Sequence, residues 1–440
     1  MTPLLLASTL NPVNSTMIAT ALVSIGRDLR VDATDTAWLV AILYLSASIA
    51  QPAMGRLADR YGPLWVGIAG LVITGLAGLG GALAPDFGWL LVSRLALGIG
   101  SSASYPVALT MIRYHEYRTG IPAPPGVLGA MAICGQATAA IGPTLGGLLV
   151  GVFDWRAVFA VNVPWTLLAI VLALRWLPRD RPEGVPPPAR GGIDLIGMGI
   201  FAVGMTSLLL FLMRLRPDPP YALLAVAVVG FTVFCLWEMR RAAPFIDVRM
   251  IAGNPALLAT YVRFAGTFIS VYVILYGLTQ WVEEVRGLSP AETGLILLPM
   301  SIVAVAAAAI GSRRKRMRIP LLTGLVALPI GSLGLLLLDA ASPVALLVLV
   351  AGVFGVTNGL NSIGNQAALY KLVPTTHVGS ASGLLRTFQY VGAIASSSLI
   401  GLAYGDRATT PGLHVLALAL VALGVFLFTM TLLDRRLRDL

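Results

Sequence analysis

The chain has 440 residues, 57% of them hydrophobic and 11% charged, with a mean hydropathy of +0.85. That balance excludes a soluble globular protein, and apolar runs spread along nearly the whole length point to one integral membrane domain. A formal net charge of +10 would suggest nucleic acid in a soluble chain, but the basic residues here cluster between apolar runs and read as topology, so no nucleic-acid partner is expected.

Fourteen apolar runs are long enough to span ~30 Å of hydrocarbon at 1.5 Å per helical residue. They are Pro3–Ile25, Thr36–Met54, Pro63–Leu83, Gly88–Met111, Gly126–Val152 and Ala157–Leu177, then Leu195–Met213 and Tyr221–Trp237. Six more follow: Pro255–Trp281, Thr293–Ile310, Pro320–Leu338, Val344–Tyr370, Val378–Tyr404 and Leu413–Leu433. The first run has no basic residue before Arg27 and reads as a retained helix, not a signal peptide. Loops on the side of Arg56 and Arg60 carry twenty of the thirty Lys and Arg, against seven on the other side. The positive-inside rule therefore predicts both termini in the cytoplasm. A Pro-, Gly- and Arg-rich linker at Pro178–Gly192 divides the chain into a six-helix bundle over 1–177, a linker and middle pair over 178–253, and a second bundle over 254–440. Gly311-Ser312-Arg313-Arg314-Lys315-Arg316 weakly echoes the first basic loop. Cys134 and Cys235 fall inside apolar runs and read as small core residues, with no disulfide framework.

Within the first run, Val13-Asn14-Ser15-Thr16 is a polar interruption. Asp35 opens the second run and reads as a helix cap, with a proton-coupling site as the alternative. Next comes Gly55-Arg56-Leu57-Ala58-Asp59-Arg60-Tyr61-Gly62, a charged turn with glycine at both ends. It reads either as a solvated connection or as a conformational lock, with Asp59 near the start of the following helix, where a carboxylate is favoured. In the fourth run Arg94, Gly98, Ser101 and Tyr105 share one helical stripe. An arginine there either snorkels to the surface or has a role inside the bundle. The fifth run places Gly135, Ala139, Gly142 and Gly146 on one face, with Pro143 as a kink and Gly147 beside it, so that a neighbour can approach closely. Further polar stripes are Arg263, Thr267 and Ser270; Asn358, Asn361 and Asn365; and Arg386 with Gln389. Arg263 and Arg386 lie about nine residues into their runs, near the midplane. Every Asp and Glu falls in a loop or within a turn or so of a helix end, so Arg94, Arg263 and Arg386 are expected to lack a carboxylate partner at equal depth. The asparagines serve either interhelical hydrogen bonding or a substrate.

The G-x-L-A-D-R-x-G turn between the second and third runs resembles the signature loop of the major facilitator superfamily of transporters, with Pro63 and Leu64 where that family usually has a basic pair. The stretch around Arg94 and Gly98 resembles its fourth-helix motif, and Gly135…Gly142-Pro143…Gly146-Gly147 the fifth-helix motif of its drug exporters. The six-plus-two-plus-six pattern is similar to the fourteen-helix drug–proton antiporter branch, which usually carries aspartate where Asn14 stands. The resemblance implies an all-α integral membrane fold of two pseudo-symmetric six-helix bundles plus a middle pair, with a midplane cavity between the bundles. Asn14, Arg263, Asn358, Asn361, Arg386 and Gln389 are the candidate cavity residues. It also implies a proton-linked exporter of drugs or small metabolites in a bacterial cytoplasmic (inner) membrane, acting as a monomer on a small-molecule substrate. An anion or metabolite symporter or facilitator is the alternative. A non-transporting sensor would want a soluble signalling domain, and the loops are short. The histidines are isolated, with no metal spacing, hydrolase elbow or phosphate loop, so no enzyme activity, cofactor or metal is expected.

Overall fold

The computed structural model describes residues 2–119, 125–179, 194–214, 219–241, 244–246, 248–314, 317–373, 378–434 and 436. Among them there are helices and no strands. Eleven helices are long and apolar enough to cross a membrane. The other three expected positions are also helical. The fifth is Pro125–Val152 and the thirteenth Val378–Tyr404. The first is divided into Thr2–Ser8, Leu10–Met17, a 3₁₀ turn at Ile18–Ala21, and Leu22–Leu29. The all-α membrane fold is thus observed. The linker expected over Pro178–Gly192 lies mostly outside the described residues.

Helix starts follow from capping chemistry. Asp32, Asp86, Asp194, Asn254 and Thr409 each accept a backbone N–H three residues on, satisfying a donor the helix cannot. Ser289 and Glu292 form a reciprocal capping box, followed by Pro290 in the first turn. The cap of the second helix is therefore Asp32, with Asp35 in its first turn, where a carboxylate favours the helix dipole.

The turn at Gly55–Gly62 is shorter than expected. The second helix runs over Ala33–Tyr61, because Leu57, Ala58 and Arg60 are good helix formers and the single backbone donor missing at Pro52 does not end it. Gly62 alone turns the chain, at φ 93°, and Pro63 starts the third helix, Pro63–Ala82. Asp59 lies in the last turn of the second helix instead of at the start of the third.

Leu76, Val92, Leu168, Val229, Ile302 and Leu418 are exposed, an outward apolar surface suited to lipid. The larger core lies between helices: Leu39, Leu43 and Tyr44 of the first half join Tyr272, Tyr276 and Tyr390 of the second in one buried cluster. The seventh and eighth helices, Leu195–Met213 and Tyr221–Glu238, pair with each other, and the seventh also touches the second and thirteenth. Chain reversals alternate between an Asp32 end and a Gly62 end. At the first, Ala33 N–H donates to Asp406 O and Arg156 meets Asp28; at the second, Asn254 donates to Leu372 O and Arg318 to Leu432 O.

Candidate substrate pathway between the two halves

Helix packing in the first half is set by glycine. A Cβ on Gly98 would strike Ser46 of the second helix, and one on Gly146 would lie 2.7 Å from Thr20 Oγ1. Gly142 lies against Thr16 and Met17, so the fifth helix rests directly on the first. Gly147 meets Pro290, and Thr144 Oγ1 donates to Gly294 O at 3.0 Å, which brings the fifth helix against Pro290–Ser312 of the other half. Pro143 is inside the fifth helix with its carbonyl beside Gly294. Among the described residues, Gly135 has nothing within 4 Å of where its Cβ would stand, so the close contacts described for this face are over its later turns. Gly55 is in ordinary contact with Pro106. Arg60 is exposed with its guanidinium 5.6 Å over the Tyr61 ring. The Arg56 and Asp59 side chains lie outside the described residues.

Arg94 does not snorkel. It is 1% exposed, and its Nε and Nη1 donate to Leu39 O and Asn14 O, each at 3.0 Å. A guanidinium suits this position because its forked donors reach carbonyls on two helices at once. The third nitrogen, Nη2, is buried without a partner. The side chain of Asn14 is engaged elsewhere: it exchanges hydrogen bonds with Asn162 at 2.5 and 2.8 Å, an amide pair inside the first half.

Tyrosines occupy the seam between the halves. Tyr44 lies 5.2 Å from Tyr272 and 5.5 Å from Tyr390, ring centre to ring centre, while Tyr272 and Tyr276 stack at 5.6 Å. Tyr44 and Tyr276 share a hydroxyl hydrogen bond at 3.3 Å, and Tyr276 also donates to Ser15 O of the first helix. Tyr390 donates to Gln51 Oε1 at 2.6 Å, and Gln389 donates to the Tyr272 hydroxyl at 3.2 Å. Arg386 donates to Gln389 Oε1 at 2.9 Å and faces the Tyr105 ring across the seam at 5.6 Å. Arg386 and Gln389 are thus brought together, and joined to both halves. Tyr276 belongs to a π-helical segment, Val273–Leu278, between Pro255–Tyr272 and Thr279–Glu284. Such an insertion rotates the side chains beyond it, and it is common at functional positions. Sequence reading missed these tyrosines because isolated aromatics in apolar runs carry no motif. The spacing of Tyr272, Tyr276 and Gln280 at four-residue intervals was the available signal.

The polar residues of the second half separate from this seam. Arg263 is fully buried and pairs with Asp434 at 3.3 Å, correcting the expectation that it lacks a carboxylate partner at equal depth. Asp434 caps the end of the last helix, Thr410–Leu433, and the Arg263 guanidinium reaches it there. The partner is 171 residues away in sequence, which no local pattern reveals. Asn365 Oδ1 accepts from Arg263 Nε at 3.1 Å, while Asn361 lies against Gly324 with both amide atoms unpartnered. Asn358 Oδ1 is likewise unpartnered, so the asparagine stripe divides between two neighbours. No group of three potential metal ligands occurs among the described residues.

Comparison with known proteins identifies the family. A family model described as Major Facilitator Superfamily matches residues 4–397. The chain belongs to the Major Facilitator Superfamily. It is 31% identical over 422 residues to the MFS-type transporter YwoD of Bacillus subtilis, spanning 94% of this chain and 92% of that protein. It is 29% identical over 403 residues to the multidrug efflux pump LfrA of Mycolicibacterium smegmatis, spanning 88% and 77%. Its fold matches a crystal structure of the peptide transporter POT in complex with alafosfalin at a TM-score of 0.72 and 17% identity, over 99% of this chain and 95% of that one. This superfamily member is therefore a multi-pass membrane transporter with bacterial relatives that include drug efflux pumps. Its family and fold are those of transporters and not of enzymes.

Proposed function

We propose that this transporter exports drugs or small metabolites from the cytoplasm by proton-linked alternating access, with bundles at 1–177 and 254–440 rocking about the seam. The observation that carries the reading is the buried belt of Tyr44, Tyr272, Tyr276 and Tyr390, hydrogen-bonded across both halves and joined to Gln51, Gln389 and Arg386. Aromatic faces with hydroxyl and amide groups between them suit a substrate with a flat apolar body and a few polar groups. Their contacts between halves are of a kind that separation of the bundles would break. Residues 178–253 form the linker and the middle pair that covers the seam. The excess of Lys and Arg in the loops at the Gly62 end supports a cytoplasmic position for that end in a bacterial inner membrane, and the reading takes the protein as a monomer. The export direction is supported by the relative named as a multidrug efflux pump.

The test is uptake of a panel of aromatic drugs into everted vesicles, with and without an imposed pH gradient. Gradient-dependent accumulation that Tyr276→Ala abolishes is expected. A second reading, symport or facilitated passage of an anion, is favoured by Arg386, a cation at the seam whose contacts are an amide and an aromatic ring. Gradient-independent passage of organic anions, with no drug accumulation, would overturn export in its favour.

A further inference from the structure

At the Asp32 end the seam holds an acid that its position near a helix end disguised. Glu283 lies in the segment Thr279–Glu284, is 3% exposed, and its Oε1 has no hydrogen-bond partner. One turn earlier Gln280 is also buried, with its Oε1 unpartnered. This segment packs against Leu22–Leu29 and the 3₁₀ turn Ile18–Ala21 of the opposite half, and against Pro290–Ser312 of its own. The other charged and titratable groups on these elements are engaged. Asp28 is held by Trp155 and Arg156, Glu292 by Ser289, and Glu284 accepts the Ala408 N–H at 2.7 Å. In the adjoining π segment the Tyr276 hydroxyl donates to Ser15 O. The charge that acts on Glu283 from the opposite half is Arg27, exposed at the rim of a cavity of about 700 Å³ that Gln280, Glu284, Asp406 and Arg407 also line.

An ionised carboxylate is strongly disfavoured away from water without donors, and such a group takes up a proton instead. Parting the two halves at this end would admit water to Glu283 and allow it to ionise in the field of Arg27. We infer that Glu283 is a protonation latch: closing the Asp32 end takes up one proton on its carboxyl group, and opening that end releases it. The inference rests on the alternating-access reading and adds a specific site to it. Low pH on that side favours the closed form, and rising pH favours the open one.

The test is the distance between spin labels at Phe153→Cys and Val344→Cys, exposed sites on opposite halves at this end, in a chain whose Cys134 and Cys235 are replaced by serine. In reconstituted protein the distance should lengthen as pH rises. Glu283→Gln, which keeps the shape and removes the titration, should hold the short distance at every pH. Arg27→Gln should move the midpoint to higher pH, because ionised Glu283 loses its nearby cation; this gives a readout should Glu283→Gln fold poorly. An unchanged pH response in Glu283→Gln, or an Arg27→Gln midpoint that does not move, would overturn the latch while leaving alternating access intact. A wild-type distance fixed at every pH would overturn both.

Discussion

Replacing Gly142 by alanine adds one methyl group where the first and fifth helices meet. That Cβ would stand 2.8 Å from Thr16 Cβ and 3.3 Å from the Met17 nitrogen, against the ~3.5–4.0 Å at which non-bonded carbons rest. The first helix must therefore retreat by roughly 1 Å, and the neighbouring Gly146 contact goes with it. Overpacking of this kind costs about 1–3 kcal/mol in a close-packed interior. Leucine should cost more, since its added atoms have no space. Gly135→Ala is the control, because that methyl would meet nothing within 4 Å. The assay is thermal unfolding in detergent followed by size-exclusion chromatography, with transport measured in proteoliposomes. Gly142→Ala should lower the midpoint by a few degrees and slow transport, Gly142→Leu should abolish transport in inserted protein, and Gly135→Ala should match the parent. Equal behaviour of Gly142→Ala and Gly135→Ala would refute the packing argument.

Arg263→Ala leaves Asp434 without its partner in a mostly buried site, and breaking such a pair costs about 3–5 kcal/mol, so membrane abundance should fall. Arg386→Ala removes a half-buried seam contact and should leave abundance near normal while reducing transport; abundance and initial rates in the same membranes separate the two. Asp59→Asn should remain folded and inserted but lose most transport, and near-normal rates at normal abundance would contradict a locking role for the signature turn. The Asp28 carboxyl is held below its usual range by the Trp155 indole N–H and by Arg156. Its contribution is therefore present above the unfolded-state value of ~3.9 and is lost as pH falls through the lower folded value. Asp28→Asn should flatten the acid side of the thermal-stability profile, and an unaltered slope would count against the tie.

Composition and apolar run length determined the membrane fold, because every crossing must satisfy its backbone internally and so must be helical. The same local physics made the glycine faces legible: Gly98, Gly142 and Gly146 have no side chain to hold a neighbour away, wherever that neighbour lies in sequence. Turn position was less legible. Gly55–Gly62 carries breakers at both ends, but only Gly62 needs a backbone conformation that other residues resist, so the helix continues to Tyr61. What tertiary structure alone decided was the partner of each polar group. Asn14 meets Asn162, Arg263 meets Asp434, and the tyrosines of three helices converge on one seam across more than two hundred residues of chain. Glu283 shows the reason most plainly. Its position near a helix end marks it as peripheral in sequence, yet its exposure depends on the opposite half, whose first helix comes to rest against it.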